Sequence, residues 1–285
     1  MESYRLEGQT FVIDDYDRKP AFSSFLPGLA GVKGIPLWTF YTNRGQGMNS
    51  FGIDNKGNAI MEFNSANTAF ENTQVKGFRT FLKIDGEYYE PFFTYEKEAK
   101  RQMRMNKNSF KIIETNEKYG IEVTVNYYVL PNESIGALVR QVSVKNIGDS
   151  AKEVQVIDGL PKIITYGIAN GEFKEMSNLF KSWADIRNLE NKVPYYTLRA
   201  STKDSAEVSD VEGGYYYLTV RDGKLQDVIY DVDIVFGYDL SLMTPVNFID
   251  GSIEGVLSKE QCFANKVPCG FTPFKEVVEP GKELA

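Results

Sequence analysis

The sequence predicts an all-β fold of antiparallel strands with one or two covering helices. Its clearest signal is the strict alternation of apolar and polar side chains over residues 121–129, which is typical of a half-buried strand. Asp-Gly pairs at 85–86 and 222–223 lie between strand-like runs and predict tight hairpins. Consecutive strands joined by short polar turns form meanders and sandwiches rather than βαβ units. An aromatic content of 13% also favours strands.

The first quarter of the chain is expected to begin with a hairpin around Gly8-Gln9. A buried, glycine-punctuated loop is expected over residues 22–34, and a polar turn over Asn43–Asn49. Strands are expected, in order, over Tyr4–Glu7, Thr10–Asp14, Ile35–Tyr41, Ser50–Ile53 and Ala59–Phe63.

The middle of the chain carries the clearest sheet. Residues 64–72 are expected to be a polar connector, and Glu96–Met105 a short helix. Strands are expected over Gln74–Ile84, Glu87–Phe93, Phe110–Thr115, Ile121–Val129, Ile135–Asn146 and Lys152–Asp158.

An amphipathic helix is expected over Phe173–Glu190, where apolar residues recur every three or four positions. Strands are expected over Tyr195–Ala200, Gly214–Arg221, Asp227–Phe236, Val246–Leu257 and Lys275–Val278. Repeats and Pro- or Ser-rich linkers are missing from the sequence, so we expect one domain over residues 1–285. A strand should follow the Pro280-Gly281 turn, and we expect the chain to end before this strand is formed. We therefore expect the chain to be the N-terminal fragment of a longer protein.

Charge and residue usage exclude several classes of function. The net charge of −7 and pI of about 5.0 argue against nucleic-acid or membrane-surface partners, and the densest basic run, Lys97–Lys111, is interrupted. The chain has no histidine, which excludes Ser-His-Asp triads and histidine metal sites. Cys262 and Cys269 could pair, but two free thiols in a reducing cytosol are favoured, and two cysteines are too few for a zinc site. The sequence carries neither a signal peptide nor an apolar membrane span, so we expect a cytoplasmic protein.

The turn after the aromatic strand carries the candidate ligand-binding residues. Sugars are bound by planar amide and guanidinium groups together with aromatic rings. The side chains of this kind are Trp38, Tyr41, Asn43, Arg44, Gln46 and Asn49. On pattern alone we favour a plain hairpin loop in which Arg44 pairs with a carboxylate, because polar turn residues are common.

The sequence nominates no catalytic residue, cofactor or metal ligand. A glycosidase needs two carboxylates on either side of the scissile bond, and the aspartates here are clustered in a loop or isolated. Trp183 and Asp185 could form a stacking wall, although a packed helix anchor is the better explanation of Trp183. The glycine-rich stretches precede no helix suited to phosphate binding.

One stretch identifies a resemblance to a known family. Trp38 to Gly47, with Asn49 to Gly52, Ala59 to Phe63, Phe78 to Phe81 and Tyr119 to Gly159, resembles the N-terminal domain of inverting β-glucoside phosphorylases of glycoside hydrolase family 94. This is the cellobiose phosphorylase group, and the closest likeness is to its 1,2-β-oligoglucan phosphorylase branch. The resemblance extends along most of the chain.

The resemblance implies a large two-sheet supersandwich similar to the galactose mutarotase-like fold. In the family, this domain precedes helical linkers and an (α/α)6 barrel that carries the general acid and the phosphate site. We expect nothing after Leu257 to form such a barrel, so the chain alone should be inactive. The implied partners are a β-glucan oligosaccharide and the C-terminal barrel of the same protein, with inorganic phosphate as co-substrate of the whole enzyme. Asn43, Arg44 and Gln46 would line part of the sugar cleft.

Two other functions stay open. The same fold suggests a free-standing sugar epimerase of the mutarotase type, but that chemistry normally uses a histidine acid, and none is present. A stand-alone glucan-binding or structural module is the second alternative.

Overall fold

The structure, a computed structural model, describes residues 3–50, 52–53, 55, 57–62, 64–93, 98–176, 179–202 and 205–285, with the backbone alone at residues 49 and 50. The fold is mostly β, with 40% of residues in strands and 16% in helices. Several of its sheets are antiparallel. The prediction of an all-β antiparallel fold is confirmed, although the described residues form five short α-helices where one or two were expected.

The secondary structure consists of many short strands, five short α-helices and three turns of 3-10 helix within the described residues. The strands to residue 146 are β1 (Tyr4–Glu7), β2 (Thr10–Asp14), β3 (Ser23–Leu26), β4 (Leu29–Ala30), β5 (Ile35–Pro36), β6 (Trp38–Thr42), β7 (Gly47–Ser50), β8 (Arg79–Ile84), β9 (Glu87–Tyr89), β10 (Lys100–Met105), β11 (Phe110–Asn116), β12 (Ile121–Val129) and β13 (Leu138–Asn146). The later strands are β14 (Lys152–Leu160), β15 (Ala184–Arg187), β16 (Tyr195–Leu198), β17 (Tyr215–Tyr216), β18 (Val220–Arg221), β19 (Lys224–Leu225), β20 (Ile229–Asp231), β21 (Pro268–Val278) and β22 (Glu283–Leu284). The helices are α1 (Ala66–Lys76), α2 (Asn170–Met176), α3 (Val232–Phe236), α4 (Val246–Asp250) and α5 (Ile253–Leu257), and the 3-10 turns are Tyr16–Arg18, Leu179–Trp183 and Leu189–Asn191.

The chain forms two compact units. Unit 1 comprises Met1–Asn49, Asn64–Gln155 and Lys275–Ala285, and unit 2 comprises Ser50–Phe63 and Val156–Phe274. The single domain expected over residues 1–285 stays a prediction.

Unit 1 is built on a seven-stranded antiparallel sheet in the order β1-β2-β10-β11-β12-β13-β22. The alternation predicted in β12 is observed, since Ile121, Val123, Val125 and Tyr127 are all buried while the residues between them are half-exposed. Strand β22 follows the Pro280-Gly281 turn and pairs with β13, so the expectation that the chain ends before this strand is wrong. The period-two pattern therefore defines the core face of this sheet.

A smaller sheet in unit 1, β3-β6-β7, positions the candidate residues. Along β6, Thr39 and Tyr41 are buried, whereas Trp38 and Phe40 are half-exposed. Alternation along a strand places these pairs on opposite faces. The outer face of this sheet therefore carries Trp38 and Phe40.

Unit 2 contains the sheet β15-β16-β17, the hairpin β18-β19, and β20 paired with the first part of β21. Helices α3, α4 and α5 pack on one another. A core cluster of unit 2 consists of Ile164, Ile168, Phe173, Phe180 and Leu198. Trp183 is partly buried against this cluster, in agreement with its interpretation as a packing anchor.

Two helix predictions are wrong. Residues 100–105 of the helix expected over Glu96–Met105 form strand β10, and Glu96 and Lys97 lie outside the described residues. The helix expected over Phe173–Glu190 ends at Met176 and gives way to a 3-10 turn and strand β15. In both places pairing with a neighbouring strand, β11 or β16, outweighs the helical spacing of the side chains.

Several strand predictions are also wrong. Val246–Leu257 forms α4 and α5, and the second part of the strand expected over Asp227–Phe236 is α3. The expected connector at 64–72 and the start of Gln74–Ile84 form α1. Residues 59–62 form no strand, whereas Phe63 lies outside the described residues. The loop expected over 22–34 contains the short strands β3 and β4.

Capping explains two of the missed helices. The Asp231 side chain accepts a hydrogen bond from the Asp233 N–H at the start of α3. The Ser252 hydroxyl accepts one from the Gly255 N–H at the start of α5. A side-chain cap satisfies an N–H that the first turn of a helix leaves without a partner, so it stabilises even a one-turn helix of β-branched residues.

Candidate functional site

Asn43, in the polar turn after β6, is buried and bonded to the protein. Its Nδ2 donates to the carbonyl oxygens of Lys19 (2.9 Å), Tyr16 (3.3 Å) and Pro20 (3.3 Å). Its Oδ1 accepts from the Phe22 N–H at 3.2 Å. The amide thereby holds the loop between β2 and β3 in place, and its donors and acceptor are already used.

Gln46 belongs to a second internal network. Its Nε2 donates to the Thr80 hydroxyl at 3.1 Å, and its Oε1 accepts from the Arg140 guanidinium. Arg140 Nε also donates to the Tyr127 hydroxyl at 3.1 Å, and that hydroxyl accepts from the Gly47 N–H at 3.0 Å. These bonds connect the turn to β8, β12 and β13, so Gln46 ties the small sheet to the main sheet of unit 1.

Arg44 lies at the surface end of the same turn and is half-buried. Its guanidinium lies over the Phe70 ring of α1, 4.8 Å from the centroid. Gly45 has φ +63°, and a Cβ there would lie 3.0 Å from the Gln74 Cα. Glycine is therefore required where helix α1 approaches the turn, and the group that approaches Gly45 closely is the protein's own backbone.

Tyr41 and Trp38 lie on opposite faces of β6. Tyr41 is buried, and its ring stacks on Phe110 with centroids 4.4 Å apart. Trp38 is half-buried on the outer face and stacks on Phe25, with centroids 4.7 Å apart and ring planes 7° apart. Phe25 also stacks on Phe40 at 5.9 Å. Asn49 lies in β7, and its side chain is outside the described part of the structure.

The three rings Phe25, Trp38 and Phe40, called here the outer ring group, form a surface feature that the predicted site includes only through Trp38. Phe25 and Phe40 are cross-strand partners, and Phe25 is 42% exposed although it touches both neighbouring rings. The sequence signal for Phe40 is its two-residue spacing from Trp38. No comparable signal marks Phe25, because residues 22–34 carry no clear alternation.

Five of the six candidate residues therefore divide between two environments. Tyr41, Asn43 and Gln46 are buried in contacts with other parts of unit 1, whereas Trp38 and Arg44 reach its surface. The structure brings Asn43, Arg44 and Gln46 into one turn, and it places Trp38 at the far end of β6.

A buried ion cluster lies beneath the turn, and no pattern in the sequence predicts it. Arg101 of β10 donates to Glu114 of β11 (Nε to Oε2, 2.5 Å) and to Asp17 (NH1 to Oδ2, 3.0 Å). Glu114 Oε2 also accepts from the N–H of Phe92, whose φ is +64°. Arg101 and Asp17 line a small cavity of about 20 Å³ together with Asn43 and Arg44. The cluster thus joins four chain segments below the candidate residues: β10, β11, the 3-10 turn Tyr16–Arg18 and the segment at Phe92.

Burial governs the protonation of this cluster. Desolvation raises the pKa of Glu114 to about 8, the nearby Asp17 carboxylate adds to the rise, and the Phe92 N–H opposes it. Glu114 Oε1 is buried and has no hydrogen-bond partner among the described residues. An ionised carboxylate is costly in such a place, so the folded state favours protonated Glu114 near neutral pH.

Arg79 and Glu90 form a second buried ion pair in unit 1. The pair is bidentate, with Nε to Oε1 at 2.7 Å and NH2 to Oε2 at 2.8 Å. Burial raises the pKa of Glu90, although the Arg79 guanidinium opposes the change. Arg79 also lies over the rings of Phe81 and Phe93. This geometry serves stability and leaves the arginine within the protein interior.

Several aspartates that the sequence leaves isolated belong to ion pairs. Asp185 pairs with Arg187 (2.8 Å), and Asp231 pairs with Lys266 (3.0 Å) in unit 2. Cys262 and Cys269 are both free thiols, as expected. Among the described residues, no helix is long and apolar enough to cross a membrane.

The scan of known protein families finds no model that matches this chain, and the search of curated proteins finds no matching sequence.

Proposed function

We propose that the chain is a carbohydrate-binding and scaffold domain of a cytoplasmic β-glucan phosphorylase, most similar to those acting on 1,2-β-oligoglucans. The parent enzyme would cleave β-glucosides with inorganic phosphate and release α-glucose 1-phosphate. Catalysis would reside in a helical barrel of the same protein, and this chain would supply part of the sugar-binding surface.

The observation that carries the carbohydrate-binding half of the proposal is the outer ring group. Aromatic surfaces contact the apolar faces of sugar rings, and three rings side by side on a solvent-facing sheet are costly unless they meet a partner. Phe25 is 42% exposed at the centre of the group. Its neighbour Trp38 lies at the start of the stretch that resembles the phosphorylase family.

The hydrogen-bond networks around the turn support the proposed scaffold role. Asn43 and Gln46 connect four separate segments of unit 1 through their amide groups. Side chains that are bonded in this way hold a surface in shape and do not need a sugar to satisfy them. Within the proposed cleft, we therefore assign direct contact to Trp38 and Arg44 and assign support to Asn43 and Gln46.

A binding measurement tests the contact surface. We expect Phe25→Ala to weaken binding of a sophoro-oligosaccharide by about tenfold in titration calorimetry, because removing an aromatic contact costs roughly 1–2 kcal/mol. Phe11→Ala is the matched control, since Phe11 is 41% exposed on β2, in another sheet. Equal affinities of Phe25→Ala and wild type would contradict the proposal.

An activity assay tests the proposal that catalysis resides in the helical barrel and that this chain alone is inactive. Mixing the chain with β-1,2-glucan and phosphate should release no glucose 1-phosphate, because the proposal places the general acid in the barrel. Release of glucose 1-phosphate by this chain alone would overturn that part of the proposal.

The alternative of a stand-alone glucan-binding module makes a different prediction for the same titration. Tight binding by the chain alone, abolished by Arg44→Ala, would favour it. Weak binding that strengthens when the barrel is present would favour a domain that works as part of the larger enzyme.

A further inference from the structure

The small sheet β15-β16-β17 of unit 2 presents a tyrosine-bearing face. Arg187, Tyr195 and Tyr216 are directly opposite one another on its three strands, so their side chains share one face. Asp185 lies two residues before Arg187 and therefore on the same face. Arg187 is exposed, whereas Tyr195, Tyr216 and Asp185 are half-exposed. The opposite face carries the buried Ile186 and Tyr196. On the tyrosine face Thr197, opposite Asp185, is also buried, so the outward-pointing part of this face is the end with Arg187, Tyr195 and Tyr216.

A glycine fixes the position of one ring. A Cβ at Gly214 would lie 2.4 Å from two ring atoms of Tyr195, so that ring packs directly against the Gly214 backbone. Any other residue at 214 would displace the ring. One side of the Tyr195 ring is therefore held by the protein, which leaves a rigid aromatic surface with little conformational entropy to lose on binding.

The polar groups of this face are paired and carry no net charge. Arg187 Nε donates to Asp185 Oδ2 at 2.8 Å, and the guanidinium and carboxylate lie at the strand next to Tyr195. A fixed aromatic ring beside a planar donor and a planar acceptor suits a ligand with an apolar face and hydroxyl groups around its rim. The charge balance favours a neutral ligand over an anion or a cation.

We propose that the face formed by Asp185, Arg187, Tyr195 and Tyr216 is a binding site for a neutral sugar ring. The sugar would stack on the tyrosines and bond through its hydroxyls to the Arg187–Asp185 pair. The inference rests on residues of unit 2 and on none of the residues in the proposed function, so either one can fail without the other.

Titration calorimetry with sophoro-, laminari- and cello-oligosaccharides tests the site. The double variant Tyr195→Leu/Tyr216→Leu removes both aromatic faces, while leucine at 195 still covers Gly214. We expect this variant to weaken binding of the best of the three probes by about tenfold or more. Tyr238→Leu is the control, because Tyr238 is 83% exposed in unit 2 but lies on a loop after α3. Thermal unfolding of each variant verifies the fold.

Three results would overturn the inference. The first is that wild type binds none of the three probes. The second is that the tyrosine double variant, folded as judged by its unfolding transition, binds as wild type does. The third is that all binding is lost in Phe25→Ala and none in the tyrosine variant, which would place the sugar in unit 1 and leave the proposed function intact. Loss in the tyrosine variant alone would support this inference and contradict the proposed function.

Discussion

The polar turn after β6 contains planar amide groups, and the outer ring group contains aromatic rings. Both kinds of side chain bind sugars, but the two regions differ in how deeply these side chains are buried. Asn43 and Gln46 in the turn are 2% and 3% exposed and are bonded to backbone and side-chain groups of unit 1. Phe25 in the outer ring group is 42% exposed. Planar amides recognise carbonyls and hydroxyls of any origin, so their presence in a turn does not distinguish a sugar site from a folded loop. The exposed fraction of the side chains distinguishes a sugar site from a folded loop.

The same comparison separates stability from binding. Buried polar groups stabilise the fold when their bonds are made and destabilise it strongly when a partner is removed. Exposed rings contribute little to stability and are available to a ligand. Substitutions in the two regions should therefore affect different measurements.

The largest effect is expected for the ion cluster below the turn. Arg101→Met should lower the free energy of unfolding by roughly 3–5 kcal/mol, because it removes the guanidinium that bonds the buried Glu114 and the half-buried Asp17. Arg104→Met on the same strand should cost at most about 1 kcal/mol, since its pair with Glu7 is exposed. Denaturant unfolding measures both. Equal effects of the two substitutions would contradict the role given to the cluster.

The second-largest effect on the free energy of unfolding is expected for the polar turn. Asn43→Ala should lower the free energy of unfolding by roughly 2–4 kcal/mol, because several buried backbone groups lose their partner at once. Asn72→Ala removes an amide side chain from helix α1 and should not lower the free energy of unfolding, since alanine favours helices. A stable Asn43→Ala protein with reduced sugar affinity would reverse our assignment and make Asn43 a ligand contact.

Glu114 should impose a pH dependence on stability. Its pKa is raised from 4.5 to about 8 in the folded state, so between these values the folded protein holds a proton that the unfolded chain releases. Stability should therefore fall as pH rises through this window. Glu114→Gln should flatten that part of the profile, which urea unfolding at several pH values measures.

Glu117→Gln is the control for this profile. Glu117 lies just beyond β11 with its side chain 70% exposed, and its hydrogen bond with Lys100 lowers its pKa. Its substitution should leave the slope between pH 4.5 and 8 unchanged. A slope that is the same in wild type and Glu114→Gln would show that another group, such as Glu90, carries the proton.

The smallest effect on stability is expected in the outer ring group. Phe25→Ala should change the free energy of unfolding by at most about 1 kcal/mol, because the ring is partly exposed before the substitution. Thermal unfolding measures the change. A loss of several kcal/mol would show that the ring belongs to the core and would remove it from the ligand surface.

Much of the fold could be predicted where the pattern of side chains follows a single period. Strands β1, β2 and β12 have the expected bounds, because alternation, turn residues and burial agree there. Residues 232–236 and 246–250 could not be assigned correctly, since their β-branched and aromatic side chains favour strands while capping and packing produce short helices. Helix α1 was missed because its sequence is polar on most sides.

The position of the candidate site along the chain could be predicted, but the set of side chains that it exposes could not. The sequence indicates that residues 38–47 form an aromatic strand and a polar turn, and the structure has both. Which side chains face the interior depends on contacts with residues far along the chain, such as Thr80 and Arg140 for Gln46. Such contacts leave no local pattern, and neither does the packing of Tyr195 on Gly214 in unit 2.

The most direct test of the account uses Trp38 as a reporter. The chain has two tryptophans, so Trp183→Phe leaves Trp38 as the sole one. Titration of this variant with a sophoro-oligosaccharide should change the Trp38 emission in a saturable way, and adding Phe25→Ala should weaken the response about tenfold. An emission spectrum that does not respond, under conditions where calorimetry detects binding, would place the sugar elsewhere and contradict the assignment of the outer ring group.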